Sequence, residues 1–255
     1  MRGKNRLQCV SVRNETDTSA ELYIHGDIID DAYKTWLSDY DGETYPGYVL
    51  PTDVKERLAS LAGKDLTVYV NSDGGSVPAG IAIANMLARH DGHTVGIVDG
   101  WAASIASVIL LSCDEVRMPS NTFLMIHKPA AYAEGNAADM RKMAELLDTV
   151  QEGIEKTYRA KALETTTPEA IRAAVDAETW YTAEEAAAMF DIAVDAAAAA
   201  LTACSTGLTF SKMPQPVRAA KAAAQEAAEN KSRAEKNRAD EDRRRRITCE
   251  LEILC

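Results

Sequence analysis

Hydrophobic and polar residues alternate in short runs through the first half of the chain, and segments with helical spacing separate these runs. Strand-like alternation occurs at residues 21–26, 66–70, 94–98, 115–118 and 122–126. Helical spacing occurs at residues 54–61, 78–89 and 102–111. The first of these helices is expected to have an Asp or Thr cap, within Pro51-Thr-Asp53. Because strands and helices alternate, the pattern predicts an α/β core with right-handed crossovers.

The second half begins with a long amphipathic pattern. Methionine and aliphatic residues recur at three- and four-residue steps from Asn136 to about Leu163, which predicts one long helix. A shorter helix is predicted at residues 168–175, with Thr167 as its cap. The remaining predicted elements are a short strand at Trp180-Tyr181, a helix at residues 183–189 and a closing strand at residues 192–194.

The ends of the chain differ in composition from this core. Residues 1–20 are polar and are predicted to form a flexible lead-in, whereas residues 21–196 are predicted to form the folded domain. Within that domain, residues 30–50 are rich in aromatic residues, glycine and proline and are expected to form a loop. Residues 197–216 resemble a linker, and residues 217–255 form an extension rich in Ala, Lys, Arg and Glu. This extension has few large apolar side chains, so we expect it to be solvated, as a helix or as disordered chain.

The charge and composition of the chain argue against several classes of binding partner and site. The formal net charge is −11 over 255 residues, which argues against nucleic acid as the main partner because phosphate binding needs a basic surface. No apolar run approaches the roughly 18 residues of a membrane span, and no secretory signal follows Met1. The five cysteines include no Cys-x-x-Cys pair, so we expect reduced thiols in a cytoplasmic protein, with neither a zinc site nor a disulfide framework.

Three segments carry residues that could bind a ligand or take part in catalysis. Gly74 and Gly75 lie between a predicted strand and helix, where backbone amides can face a ligand, although no Gly-Lys-Ser/Thr phosphate loop follows. Ser104 follows Gly100-Trp-Ala-Ala at a strand-to-helix turn, where a helix N-terminus favours an oxyanion. His127 ends an apolar strand, and an imidazole can activate a serine hydroxyl. Taken singly, each segment is also explained by a tight turn, a helix cap or a structural histidine.

Taken together, these segments resemble the proteolytic subunit of the Clp protease. The resemblance extends from about Leu22 to Asp195 and is strongest in four motifs: Asn71-Ser-x-Gly-Gly-Ser-Val-x-Ala-Gly80, Gly100-x-Ala-Ala-Ser-x-Ala106, Met125-Ile-His-x-Pro129 and Trp180-x-Thr-Ala-Glu-Glu-Ala186. It implies a ClpP/crotonase-type α/β spiral of β-β-α units. The long helix that begins near Asn136 would be the handle that joins stacked rings in that family.

The resemblance also implies a catalytic set for a serine peptidase without a metal or cofactor. Ser104 would be the nucleophile, His127 the general base, and the amides of Gly75 and Ile105 the oxyanion hole.

The acidic member of this set has two candidates. The family's aspartate aligns with Glu178, and a glutamate can orient an imidazole although its extra methylene moves the carboxylate. Asp176 is the rival, two residues upstream, and would face the same side of a strand as Glu178.

Within the family, the sequence is most similar to head maturation proteases of bacteriophages. This similarity rests on the Trp-Ala-Ala-Ser segment before Ile105, on residues 136–141 and 177–186, and on the charged extension. It implies a capsid or scaffold protein as substrate and a ring-forming homo-oligomer in the host cytoplasm or procapsid. Three alternatives stay open: a housekeeping Clp subunit that works with an ATPase unfoldase, a crotonase-fold acyl-CoA enzyme, and a catalytically silent capsid scaffold component.

Overall fold

The computed structural model describes residues 9–33, 48–196, 210, 212–223, 226 and 230. The chain divides into two compact units, Met1–Pro214 and Gln215–Cys255. Most of the predicted aromatic loop, most of the predicted linker and most of the charged extension lie outside the described residues.

The described part of the first unit contains ten strands and six α-helices. The strands are β1 Val10–Arg13, β2 Ser19–His25, β3 Asp27–Ile28, β4 Tyr48–Val49, β5 Asp65–Ser72, β6 Thr94–Ala103, β7 Glu115–Pro119, β8 Phe123–Ile126, β9 Thr179–Thr182 and β10 Ala193–Asp195. The helices are α1 Pro51–Ser60, α2 Val77–Leu87, α3 Ile105–Leu111, α4 Ala137–Ala160, α5 Pro168–Asp176 and α6 Ala183–Ala187. A 3₁₀ turn spans Asp31–Tyr33, and residues 215–223 of the second unit form helix α7.

A mostly parallel sheet organises the first unit. Its main path runs β1-β2-β5-β6-β7-β10, with β1 antiparallel to β2 and the other neighbours parallel. The central strands are rich in buried aliphatic residues, as expected where helices cover a parallel sheet; in β5 these are Leu66, Val68 and Val70. The mixed α/β fold predicted from the sequence is therefore confirmed.

Strand β6 pairs with a different strand along each half of its length. Its first half pairs with β7 through Val95–Ile97, whereas its last three residues, Trp101–Ala103, pair in parallel with β8. Strand β8 in turn pairs antiparallel with β9. Because β6 and β8 are parallel and in register at their carboxyl ends, the residues that follow them emerge side by side.

Helix α4 is the long helix that the sequence predicts. It has 24 residues, and Asn136 caps it in a capping box with Asp139. Its buried residues lie in its second half and include Ile154 and Tyr158. In its first half the side chain of Met140 is exposed. Only part of this helix is therefore covered by the rest of the described chain.

Three local expectations are wrong. Helix α1 has no side-chain cap from Asp or Thr: Leu50 occupies the cap and Pro51 the first helical position, where the missing N–H of proline costs nothing. Helix α3 begins at Ile105 rather than at residue 102, because the two preceding alanines continue β6. The predicted flexible lead-in, residues 1–20, contains strand β1, which pairs antiparallel with β2, and also the first residues of β2.

Candidate active site

Ser104 lies at the junction between β6 and α3 in an unusual backbone conformation. Its φ and ψ are 55° and −128°, a region that non-glycine residues adopt rarely and at a cost of about 1–3 kcal/mol. Its N–H donates to the carbonyl of Met125 in β8 at 2.9 Å. The sharp turn therefore presents the Ser104 side chain beside the end of β8.

His127 meets Ser104 at this place. Ala103 and Met125 are paired across β6 and β8, so Ser104 and His127 each follow closely after the paired strand ends. The Nε2 atom of His127 lies 2.8 Å from the Oγ atom of Ser104. The two residues that the sequence assigns as nucleophile and base are thus within hydrogen-bonding distance, as base-assisted attack requires.

The electrostatic environment of His127 suits a base. Burial lowers the pKa of His127 below its ordinary value of 6.5, while the Glu178 carboxylate acts in the opposite direction. The net direction is downward, so the imidazole is mainly neutral near pH 7 and can accept a proton.

The other histidines contact residues elsewhere in the structure. His25 lies 3.2 Å from Asp99, His90 is 2.7 Å from the carbonyl of Lys64, and His93 lies 3.6 Å from Asp114. None of these three contacts involves Ser104.

The glycine turn packs directly against the nucleophile. A Cβ atom on Gly74 would lie 2.7 Å from Ser104 Cβ and 3.1 Å from the Ile105 nitrogen, and a Cβ on Gly75 would lie 2.1 Å from the Ile28 carbonyl oxygen. Both glycines also have positive φ, 94° and 138°. Space and backbone conformation therefore both require glycine at these two positions.

The amides of Gly75 and Ile105 are available to a ligand. An isolated β-bridge joins Ile28 to Gly75. In this bridge the N–H of Ile28 donates to the Gly74 carbonyl and the N–H of Ser76 donates to the Ile28 carbonyl, each at 2.7 Å. The N–H of Ile105 belongs to the first turn of α3, where helical amides have no intrahelical acceptor. Among the described residues, no backbone hydrogen bond outside the regular elements uses either N–H group. These two amides are suited to receive an oxyanion formed at Ser104.

The two acidic candidates lie in different local structures. Asp176 is the last residue of α5, where Lys128 lies 3.0 Å away and Gln151 donates to it at 3.1 Å. The hydrogen bond from Lys128 is the largest influence that lowers the pKa of Asp176. The expectation that Asp176 and Glu178 share one side of a strand is therefore wrong, because a helix ends between them.

Glu178 occupies the turn between α5 and β9. It has a positive φ of 51°, so it is, like Ser104, a non-glycine residue in a sparsely populated backbone region. Among the described residues, Glu178 is the carboxylate whose charge acts on the pKa of His127. Asp176 instead forms an ion pair with Lys128.

Buried hydrogen bonds hold the elements that carry the nucleophile, and the sequence pattern does not reveal these bonds. Ser107 in α3 hydrogen-bonds the Tyr158 hydroxyl at 2.8 Å, which ties α3 to the long helix α4. Trp101 donates through Nε1 to Asp73 at 2.8 Å, which ties β6 to the glycine turn. Both contacts are buried, so they fix the relative positions of the elements that carry the site.

A segment assigned to the linker also lies at the site. The ring of Phe210 meets those of His127 and Trp180 edge-on, with centroid distances of 5.5 Å and 5.7 Å. The backbone N–H of Lys212 donates to Glu178 Oε1 at 2.8 Å, and its ammonium group donates to the Ala177 carbonyl. The signal for this segment in the sequence is weak: Phe210 is one of only three phenylalanines.

Other kinds of site find less support in the described part of the chain. Its His, Cys, Asp and Glu side chains form no group of three or more that could hold a metal ion. None of its helices is both long and apolar enough to cross a bilayer. The thiol of Cys113 is an unsuitable nucleophile, because burial raises its pKa to about 12.

Comparison with known proteins agrees with this geometry. The family model described as Clp protease matches residues 54–190, which is more than half of the chain. An ATP-dependent Clp protease proteolytic subunit of Bacteroides fragilis is 31% identical over 155 residues, covering 60% of this chain and 71% of that protein. A proteolytic subunit 3 of Rhodococcus jostii is 34% identical over 126 residues, covering 48% of this chain and 61% of that protein. The matched residues include the glycine turn, Ser104, His127 and Glu178, and the chain belongs to the Clp protease family.

Proposed function

We propose that this protein is a serine endopeptidase in which Ser104 attacks the peptide carbonyl and His127 is the general base. The observation that carries this proposal is the 2.8 Å contact between Ser104 Oγ and His127 Nε2. It occurs at a turn with positive φ, against two glycines that no larger residue can replace. A serine that served only as a helix cap would need neither the imidazole nor the strained turn.

The chemistry follows the acyl-enzyme route. His127 takes the proton of Ser104 as Oγ bonds to the carbonyl carbon, and the amides of Gly75 and Ile105 stabilise the oxyanion. The imidazolium then protonates the leaving amine, and the peptide bond breaks. Water, deprotonated by His127, attacks the acyl-enzyme and releases Ser104.

Glu178 is the acidic residue in this proposal. Its charge favours the imidazolium that forms during attack, as the opposing effect on the pKa of His127 indicates. Asp176 is paired with Lys128, and this pair neutralises much of its field at the imidazole.

The experiment is covalent labelling with a fluorophosphonate probe combined with peptide hydrolysis. Wild-type protein should be labelled and should hydrolyse peptides, whereas Ser104→Ala should do neither. Ser112→Ala is the matched control, since Ser112 follows the last residue of the same helix and its hydroxyl donates to the Ile109 carbonyl. Labelling of Ser104→Ala at the wild-type rate would falsify the assignment of the nucleophile.

The biological setting that we propose is head maturation in a bacteriophage, with a capsid or scaffold protein as substrate and a ring-shaped homo-oligomer as the working form. The exposed apolar side chains of Met140 and Leu146 on α4 support self-association, because a second copy could cover them. Native mass spectrometry tests the ring, and incubation with the purified capsid and scaffold proteins tests the substrate. A monomer that cleaves neither protein would contradict this part of the proposal.

A housekeeping role is the second candidate, and the names of the relatives favour it. The Bacteroides and Rhodococcus proteins are ATP-dependent proteolytic subunits. This role would require a separate ATPase, and stimulation of protein degradation by a Clp unfoldase with ATP would distinguish it. The crotonase-type acyl-CoA enzyme and the silent scaffold are disfavoured, since neither makes use of a contact between Ser104 and His127.

A further inference from the structure

A segment within the predicted linker, residues 210–213, contacts two members of the proposed catalytic set. Phe210 lies edge-on to the His127 ring and edge-on to the Trp180 ring. Two residues later, Lys212 contacts the turn that carries Glu178 through its backbone N–H and its ammonium group. Met213, the next residue, is buried.

These contacts reach the base and the acid but leave the nucleophile open. Among the described residues, the ring contacts of Phe210 are to His127 and Trp180, and the hydrogen bonds of Lys212 are to Glu178 and the Ala177 carbonyl, so neither residue contacts Ser104. The contact between Ser104 and His127 keeps a distance of 2.8 Å in the presence of the segment. A segment that blocked the site as a bound substrate does would instead be expected to occupy the nucleophile and the oxyanion amides.

We infer that Phe210 and Lys212 are positioning residues of the peptidase site: the ring of Phe210 fixes the plane of the His127 imidazole, and the Lys212 amide fixes the Glu178 carboxylate. The inference rests on the proposed peptidase function. Its physical basis is that Glu178 has a long side chain on a half-exposed turn with a positive φ, and that the hydrogen bond from the Lys212 amide restricts the position of its carboxylate. A hydrogen bond to a carboxylate is among the stronger contacts a backbone amide can make.

The surroundings of His127 show why such support would matter. The imidazole faces Ser104, Glu178 and the apolar ring of Phe210. The nearby cations, Lys128 and Lys212, contact Asp176 and the Ala177 carbonyl. Loss of the Phe210 ring would admit water to the imidazole and would let the imidazole rotate. Both changes would lower kcat more than they would change the binding of substrate.

The test compares four variants in the full-length chain by peptide hydrolysis over a range of pH. Phe210→Ala should lower kcat at least fivefold, leave KM within about twofold and move the acid limb of the profile to higher pH, because burial is what lowers the pKa of His127. Phe210→Tyr should restore most of the lost kcat, since it restores the ring contact. Lys212→Pro removes the N–H that bonds Glu178 and should lower kcat, whereas Lys212→Ala keeps that N–H and should have the smaller effect.

The outcomes separate this inference from the function on which it rests. If wild-type protein neither hydrolyses peptides nor reacts with fluorophosphonate, the proposed function fails. If wild-type protein is active and Phe210→Ala has equal or higher kcat, the inference fails, and a rise would identify the segment as an inhibitory cover. Thermal unfolding of each variant distinguishes a change at the site from loss of the fold.

Discussion

The two sides of the proposed site are built in different ways. On the nucleophile side, Gly74 packs against Ala103 and Ser104, and Gly75 packs against Ile28, so closely that no other side chain would fit at either glycine. On the acid side, Asp176 and Glu178 lie at the end of a helix and in the turn after it, where Asp176 is exposed and Glu178 is bonded by Lys212. Steric restriction fixes the first side, whereas a few polar contacts fix the second.

This difference determines how each side can change. Positions fixed by close packing of backbone against backbone accept almost no substitution, because there is no flexible group to move aside. A carboxylate in a half-exposed turn can be moved by one methylene, or supplied by a different residue, because neighbouring side chains can shift to accommodate the change. A glutamate at the position where the resemblance implies an aspartate would be consistent with this freedom.

The largest expected effect is at Gly75. Gly75→Ala places a Cβ 2.1 Å from the Ile28 carbonyl oxygen at a φ of 138°, so the turn must shift and move its amide away from the oxyanion position. We expect a loss of about a thousandfold in kcat/KM and a measurable fall in melting temperature. Gly63→Ala is the control, since Gly63 also has a positive φ, 75°, but has open space around it. It should lose about 1 kcal/mol of stability and no activity; equal effects of the two variants would contradict the argument.

The next effect distinguishes the two acidic residues. Glu178→Gln keeps the shape of the side chain and removes the charge that acts on His127, so we expect kcat to fall about tenfold to a hundredfold. Asp176→Asn should leave kcat within about twofold, because it affects an exposed contact with Lys128. Steady-state kinetics on both variants give the comparison, and a larger loss for Asp176→Asn would assign the acid to the rival residue.

The sequence predicts the nucleophile side well for the same reason that this side tolerates little change. Gly74 and Gly75, the small residues before Ser104, and the apolar strand before His127 are each required by local geometry, so each leaves a pattern in the sequence. The strands and helices of the core follow from hydrophobic periodicity in the same way. The start of α3 was misplaced because alanine is compatible with both the end of β6 and a helix.

The acid side is harder to predict from the sequence. The sequence predicts the end of this helix at residue 175, one residue before its observed end, and nothing in the pattern indicates that Asp176 belongs to the helix and Glu178 to the turn that follows. The contact of Phe210 with His127 joins residues that are far apart in the chain, and no local periodicity encodes it. Side-chain partners of this kind depend on the assembled fold.

The pH dependence follows from the environment of His127 and is a smaller effect. Catalysis needs the neutral imidazole, so kcat/KM should fall as pH decreases through the pKa of His127, which burial places below the ordinary value of 6.5. Glu178 raises this pKa, and its removal should therefore lower it further. In Glu178→Gln the acid limb should lie at lower pH than in wild type, while in Asp176→Asn it should not move. If the acid limb moved in Asp176→Asn and not in Glu178→Gln, the carboxylate that raises the pKa of His127 would be Asp176.

The smallest expected effect tests how firmly the nucleophile helix is held. Tyr158→Phe removes the hydroxyl that bonds Ser107, but Ser107 keeps its bond to the Ser104 carbonyl, so no buried donor is left without an acceptor. We expect a loss of about 1 kcal/mol in the free energy of unfolding and kcat within about twofold of wild type. Ser107→Ala should be more damaging to stability, because it leaves the buried Tyr158 hydroxyl without this partner. Chemical denaturation measures both values. Because packing holds the nucleophile side at many points, the loss of one hydrogen bond should weaken the fold without disturbing Ser104. A large fall in kcat for Tyr158→Phe would mean that this side depends, like the acid side, on polar contacts.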